Sequence, residues 1–275
     1  MFAATRGSAS NLQGWDLANA TYSGNSLAVG SQLTGVFGVT LAQNGATLYV
    51  SGNTNRGVYQ YSLPTLNSLS GASYASKVAS ISQAIFITGV QVSADGTSLY
   101  VGGYDAVGTS AVYQYTLSTP WDASTATYAS KQFLPGAGFT VLDDIWLSPD
   151  GTKMFMLSSN TDTVVRLDLS TPWDLATAAV VSGQTFSVAT QETEPYGVTF
   201  SPDMTRMFIV GATNKTVYGY TLSSAGDLTT ASYASKSFSV LTQTGTSPEA
   251  LVFGANGTRM LVVSDTNNAV YQYNL

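Results

Sequence analysis

IWLSPDGTKMFMLSSNTDTVVRLDLSTPWD, residues 145–174, is the stretch that decides the fold. It opens on Ile145-Trp146-Leu147 and turns at Ser148-Pro149-Asp150-Gly151. Pro supplies the φ near −65° that such a turn wants, and Gly supplies the positive φ. An apolar run, Met154 to Leu157, follows, and then Val164-Val165-Arg166-Leu167. The stretch ends on Trp173-Asp174. Three short apolar segments separated by turn residues read as strands of an antiparallel sheet.

The pattern recurs. The turn pairs are Asn44-Gly45, Asp95-Gly96, Asp150-Gly151, Asp203-Met204 and Asn256-Gly257, at intervals of 51, 55, 53 and 53 residues. A second marker, Asp16, Asn67, Asp122, Asp174 and Asp227, repeats at 51, 55, 52 and 53. Two markers with one period define five units. The wide interval has a local cause, because GGYDAVGTSAV (102–112) is longer than its counterpart SSNTDTV (158–164).

Each unit holds four strand-like segments. The first is ATYSGNSLAV (20–29), with ASYASKVASI, ATYASKQFLP and ASYASKSFSV as counterparts. The second alternates with period two, as in Val39-Thr40-Leu41, Val90-Gln91-Val92, Val198-Thr199-Phe200 and Leu251-Val252-Phe253. The third is continuously apolar, as in Leu48-Tyr49-Val50 and Leu99-Tyr100-Val101, and suits a strand buried on both faces. The fourth places aromatics on one face, as in Val58-Tyr59-Gln60-Tyr61 and Val270-Tyr271-Gln272-Tyr273. Four strands per unit of about 52 residues describe a propeller blade. The expectation is an all-β, five-bladed β-propeller over residues 15–275, after an N-terminal extension, 1–14, that is a candidate tether. The chain opens on a first-type strand and ends on a fourth-type one. With the first type outermost, residues 20–29 close the last blade. An open β-solenoid is the alternative, although solenoid repeats are shorter and need caps. Asp203-Met204 breaks the turn rule, so that turn is expected to differ or to be strained.

The 275 residues include no His and no Cys, 10 Lys+Arg and 16 Asp+Glu. That composition excludes Ser-His-Asp triads, imidazole ligands and thiolate metal sites. A net charge of −6 argues against binding nucleic acid or an anionic membrane surface. MFAATRGSASNLQGWD carries no apolar run of signal-peptide length.

SPDGTKMFML, TNKTVYGYTL and STPWDASTATYAS resemble propeller repeats of the YVTN and NHL type. The STPWD version is similar to repeats of phage-encoded and marine bacterial propellers. The resemblance implies a binding or structural module. The pairs Trp15-Asp16, Trp121-Asp122 and Trp173-Asp174 differ from the strand-ending pair of WD40 repeats. They precede a short polar stretch, where the Asp is expected to cap a turn and the Trp to cover the blade edge.

If the second-type strand is innermost, the loops entering it crowd one channel mouth. Two residues before its first apolar position stand Phe37, Thr88, Asp143, Tyr196 and Glu249. These five vary while their flanks repeat, which marks them as the candidate ligand-binding set. The next position holds Gly38, Gly89, Asp144, Gly197 and Ala250. The leading expectation is a non-enzymatic virion-surface protein, contacting other virion proteins or a host glycan, with no cofactor or metal and no membrane insertion. Homo-oligomerisation stays open. A secreted or surface lectin is one alternative. A five-bladed glycosidase using acids among Asp143, Asp144, Glu192, Glu194 and Glu249 is the other.

Overall fold

The computed structural model describes residues 14–42, 45–136 and 139–275. Asn44, and residues 1–13 of the expected extension, lie outside them. Among the described residues, twenty strands form five four-stranded antiparallel sheets. Blade 1 holds β2 (Val36–Leu41), β3 (Thr47–Gly52), β4 (Gly57–Ser62) and β5 (Ser73–Ser80). Blade 2 holds β6 (Phe86–Val92), β7 (Ser98–Tyr104), β8 (Ser110–Leu117) and β9 (Ala126–Phe133). Blade 3 holds β10 (Asp144–Leu147), β11 (Lys153–Ser158), β12 (Thr163–Leu169) and β13 (Ala178–Ser187). Blade 4 holds β14 (Pro195–Phe200), β15 (Arg206–Gly211), β16 (Thr216–Leu222) and β17 (Ala231–Ser239). Blade 5 holds β18 (Pro248–Gly254), β19 (Arg259–Ser264) and β20 (Ala269–Asn274), and its outer strand is β1 (Thr21–Ala28) from the start of the chain. Tyr22 pairs with Tyr273 and Leu27 with Val270, so the ring closes as the order of repeats requires and β20 is not left as a free edge.

Strand position dictates side-chain type. The second strand of each blade is covered on both faces, and β3 is buried at all six positions. The outer strands alternate between half-buried and exposed. Each carries a bulge where the sequence reads as an unbroken strand. Ser76, Ser130 and Ser235 sit there at φ of 55–58°, and Gly24 and Gly183 take the matching place. The bulge carries a Lys to the neighbouring blade: Lys77 reaches Asp122 at 2.7 Å and Lys131 reaches Asp174 at 2.8 Å, while Lys236 reaches Asp16 at 3.4 Å. Pairs this exposed contribute about 0–1 kcal/mol each.

The Trp-Asp pairs work as seam hardware. Asp16, Asp122, Asp174 and Asp227 each cap a 3₁₀ turn by accepting the backbone N–H two residues on. The preceding residue lies against the hairpin glycine of its own blade. A Cβ on Gly96, Gly151 or Gly257 would stand 2.2–2.4 Å from the ring of Trp121, Trp173 or Trp15. Blade 4 reverses the sizes. Met204 occupies the hairpin position at φ 55°, and Gly226 stands where the Trp would be, its Cβ direction 3.2 Å from the Met204 sulfur. The expected departure at this turn is therefore not a change of turn type. The same Ser-Asp-Thr hydrogen bonds form here as at Ser148–Thr152. The left-handed φ at Met204 is the local strain.

A glutamine closes four of the five seams. Gln60, Gln114, Gln184 and Gln272 accept the backbone N–H of Ala123, Leu175, Leu228 and Leu69, at 2.8–2.9 Å. At the fifth seam, between blades 4 and 5, Gly219 holds the strand position, and a cavity of about 300 Å³ opens beside Trp15, Arg206 and Lys236. Leu17 is 1% exposed, and among the described residues its N–H meets no acceptor. Gly219→Gln should restore the bond and raise stability by about 1 kcal/mol. Urea unfolding checks this, and an unchanged or lower midpoint would show that the seam rejects the side chain.

Candidate functional site

The inner strands converge so closely that most of them need glycine one step below the mouth. A Cβ on Gly38 would lie 2.5 Å from the Thr88 carbonyl oxygen, and one on Gly197 would lie 2.8 Å from the Ala250 Cα. Ala250 and Asp144 are the exceptions, and of the two only Asp144 brings polar side-chain atoms. Its Oδ1 accepts the Ile145 N–H at 2.8 Å, and its Oδ2 accepts the Val198 N–H of blade 4 at 2.9 Å. It fills the space that Gly89 leaves, since a Cβ there would be 2.8 Å from Oδ1. Burial holds the Asp144 carboxyl well above its ordinary pKa.

Above this layer, Phe37, Thr88, Asp143, Tyr196 and Glu249 all line one pocket of about 360 Å³. All five sequence candidates thus meet at one mouth. The ring also brings in Phe86, Tyr104, Ser247 and Asp265. Phe86 and Tyr104 stem from the second blade, at the start of β6 and the end of β7. Asp265 comes from the turn after β19. Phe37 packs on Phe86 at 4.7 Å between ring centroids, and Phe86 stacks on Tyr104 at 4.8 Å and 6°. One wall of the mouth is therefore an aromatic strip.

The polar side chains divide by how much of their bonding capacity is spent. Thr88 donates to the Leu142 carbonyl and braces blade 2 to blade 3. Asp265 accepts the Val36 N–H at 3.0 Å and ties blade 5 to blade 1. Asp143 accepts the Ser159 N–H at 2.5 Å through one oxygen. Glu249 is 6% exposed and accepts the Ser247 hydroxyl through Oε1. Glu192 is fully buried and lies outside the mouth lining, its oxygens taken by the N–H groups of Glu194, Thr213 and Asn214. Glu194 is exposed. Of the five acids considered for glycosidase chemistry, only Asp143 and Glu249 line the mouth.

Burial raises the Glu249 carboxyl to about 8 against the Ser247 hydrogen bond, and Asp265 and Asp143 add to the rise. Burial likewise raises Asp143 to about 6. The Tyr196 hydroxyl is pushed to about 12 by burial and then by Glu194, Glu249 and Asp143. For both acids the native state disfavours the ionised form. Their penalty is absent below the ordinary carboxylate pKa and grows until pH passes the folded value. The melting temperature should therefore fall between pH 5 and pH 8, and Glu249→Gln should flatten that slope. A profile equally steep in the variant would mean that Glu249 is not the group responsible.

No protein-family model matches the chain, and no curated protein does. Solved structures match by fold. A protein from Lactobacillus plantarum superposes with a TM-score of 0.52 at 15% identity, covering 86% of this chain and 66% of that one. A candidate 6-phosphogluconolactonase from Bacteroides uniformis gives 0.51 at 14%, covering 86% and 65%. The Swd1 β-propeller domain of Myceliophteria thermophila gives 0.50 at 9%, covering 87% and 83%. The chain spans 55–66% of the length of four bacterial proteins that it matches. At these identities the likeness shows the propeller fold and nothing finer.

Proposed function

We infer that this protein is a non-enzymatic binding and display module on the surface of a phage particle, with the channel mouth as its contact site. One observation carries the reading. The five positions that break the repeat line a single pocket, and its aromatic and acidic walls are features a ligand can use. The closed ring holds those walls rigid, so little ordering entropy is lost on binding. The resemblance to phage-encoded STPWD repeats and the weakly charged surface support the particle setting. Mass spectrometry of purified particles tests that setting. The protein should be present in stoichiometric amount, and its absence from intact particles would end the assignment. A glycan or host-cell binding assay tests the contact itself.

The lactonase suggested by two fold neighbours fits the mouth poorly. A phosphorylated substrate needs cationic groups, and among the described residues the mouth lining holds Asp143, Glu249 and Asp265 with no Lys or Arg. Hydrolysis is the second reading, favoured by the unequal pKa values of Asp143 and Glu249, which suit a base and an acid. A chromogenic glycoside panel decides between the two. Turnover lost in Glu249→Gln would support an enzyme, and no turnover by the parent protein dismisses it for that panel.

A further inference from the structure

The mouth presents carboxyl groups and aromatic rings, with no basic residue in its lining among the described residues. We propose that it accepts an organic ammonium group, carried either by a small amine or by a lysine side chain of a partner protein. This rests on the reading of the mouth as a ligand site and names the chemistry of what enters it.

Three features of the pocket favour a cation. Glu249 is 94% buried, and only Oε1 has a hydrogen-bond partner among the described residues. A buried carboxylate without a counter-charge is costly, and an entering ammonium removes that cost. Asp265 spends one oxygen on the Val36 backbone N–H and keeps the other, and Asp143, which accepts from Ser159, lines the same pocket. The third feature is the strip of Phe37, Phe86 and Tyr104, whose ring faces attract ammonium groups by their quadrupoles. A metal ion fits less well, because among the described residues no three His, Cys, Asp or Glu gather closely enough to hold one. A neutral sugar would use the aromatic strip but would leave the unpaired carboxyl without its charge partner.

The groups that face Glu249 are Ser247 on its own segment, Asp265 from the following turn and Asp143 from blade 3. Tyr196 from blade 4 and Tyr104 from blade 2 complete the titratable set of the mouth. All of these are neutral or acidic. Ammonium binding must therefore expel the protons that Glu249 and Asp143 hold at low pH. Affinity should rise by up to about tenfold per pH unit for each proton released, and level off above pH 8.

The test is a calorimetric titration of the full chain at pH 5.5 and pH 8.5. The probes are tetramethylammonium, putrescine, a short lysine-bearing peptide and methyl glucoside. The amines should bind at pH 8.5, at least tenfold more weakly at pH 5.5, with proton release visible as a heat that depends on the buffer. The peptide arm separates a protein partner from a free amine. Glu249→Gln should lose the pH dependence. Phe86→Leu, which keeps an apolar side chain at that position, should weaken binding several-fold if the acid variant fails to fold. Glucoside binding with no pH dependence would overturn the ammonium assignment and leave the mouth as a site. No binding by any probe at either pH would overturn both.

Discussion

Gly151→Met should destabilise the protein by about 3 kcal/mol, and adding Trp173→Gly should recover about half of the loss. The clash is direct, since a Cβ on Gly151 lies 2.3 Å from the Trp173 ring and Gly151 sits at φ 70°. Overpacking at that distance costs about 1–3 kcal/mol, and a non-glycine residue in the left-handed region adds about 1–2. Trp173→Gly alone removes a partly buried ring that packs on the Tyr100 ring at 6.3 Å, for about 2–3 kcal/mol. The pair together reproduces Met204 and Gly226 of blade 4, where the large side chain comes from the turn and the small residue from the strand connection. The double variant should therefore lose only about 1–2 kcal/mol, a coupling of several kcal/mol in a double-mutant cycle. Chemical denaturation of the four proteins gives the numbers. Simple additivity would mean that the two positions do not share one space.

Asp144→Ala should cost about 2–4 kcal/mol. The substitution leaves the N–H groups of Ile145 and Val198 buried without acceptors, and it opens the space beside Gly89. Asp144→Asn keeps the volume but turns one acceptor into a donor that faces an N–H, so it too should destabilise, by about 1–3 kcal/mol. Urea midpoints at pH 7 with unchanged slopes check both values. If Asn were as stable as Asp, the carboxyl would not be accepting on both oxygens. The position also separates the mouth from the opposite end of the ring, where Trp146, Phe200 and Phe253 line a second cavity of about 460 Å³.

The blade count and the closure were legible because they depend on side-chain type at fixed offsets. The apolar run Leu48-Tyr49-Val50 can be covered on both faces only in a central strand, and every unit has one. The mouth set was half legible. Phe37, Thr88, Asp143, Tyr196 and Glu249 share one strand position, so the repeat exposes them. Phe86, Tyr104 and Asp265 come from other offsets, and only ring geometry brings them to the same rim. Glu192 shows the opposite limit. Its sequence context does not reveal that backbone N–H groups use both its oxygens. The bulge at Ser76, Ser130 and Ser235 was hidden because serine does not advertise a positive φ, although Gly24 and Gly183 at the same place were a signal. The recurring Lys77, Lys131 and Lys236, each one step past that bulge, were a second signal for the seams.

The pairing of β1 with β20 completes the fifth blade and fixes the ring on which the mouth is built. The chain has no native cysteine, so an engineered pair reports on this directly. Tyr22 and Tyr273 are direct antiparallel partners. Cα atoms so placed are about 4.5–5.5 Å apart, within the range a disulfide spans. Tyr22→Cys with Tyr273→Cys, oxidised and analysed by non-reducing electrophoresis and peptide mass mapping, should give one intramolecular disulfide in a monomeric product. Free thiols or intermolecular dimers as the main product would contradict the closure and the mouth built on it.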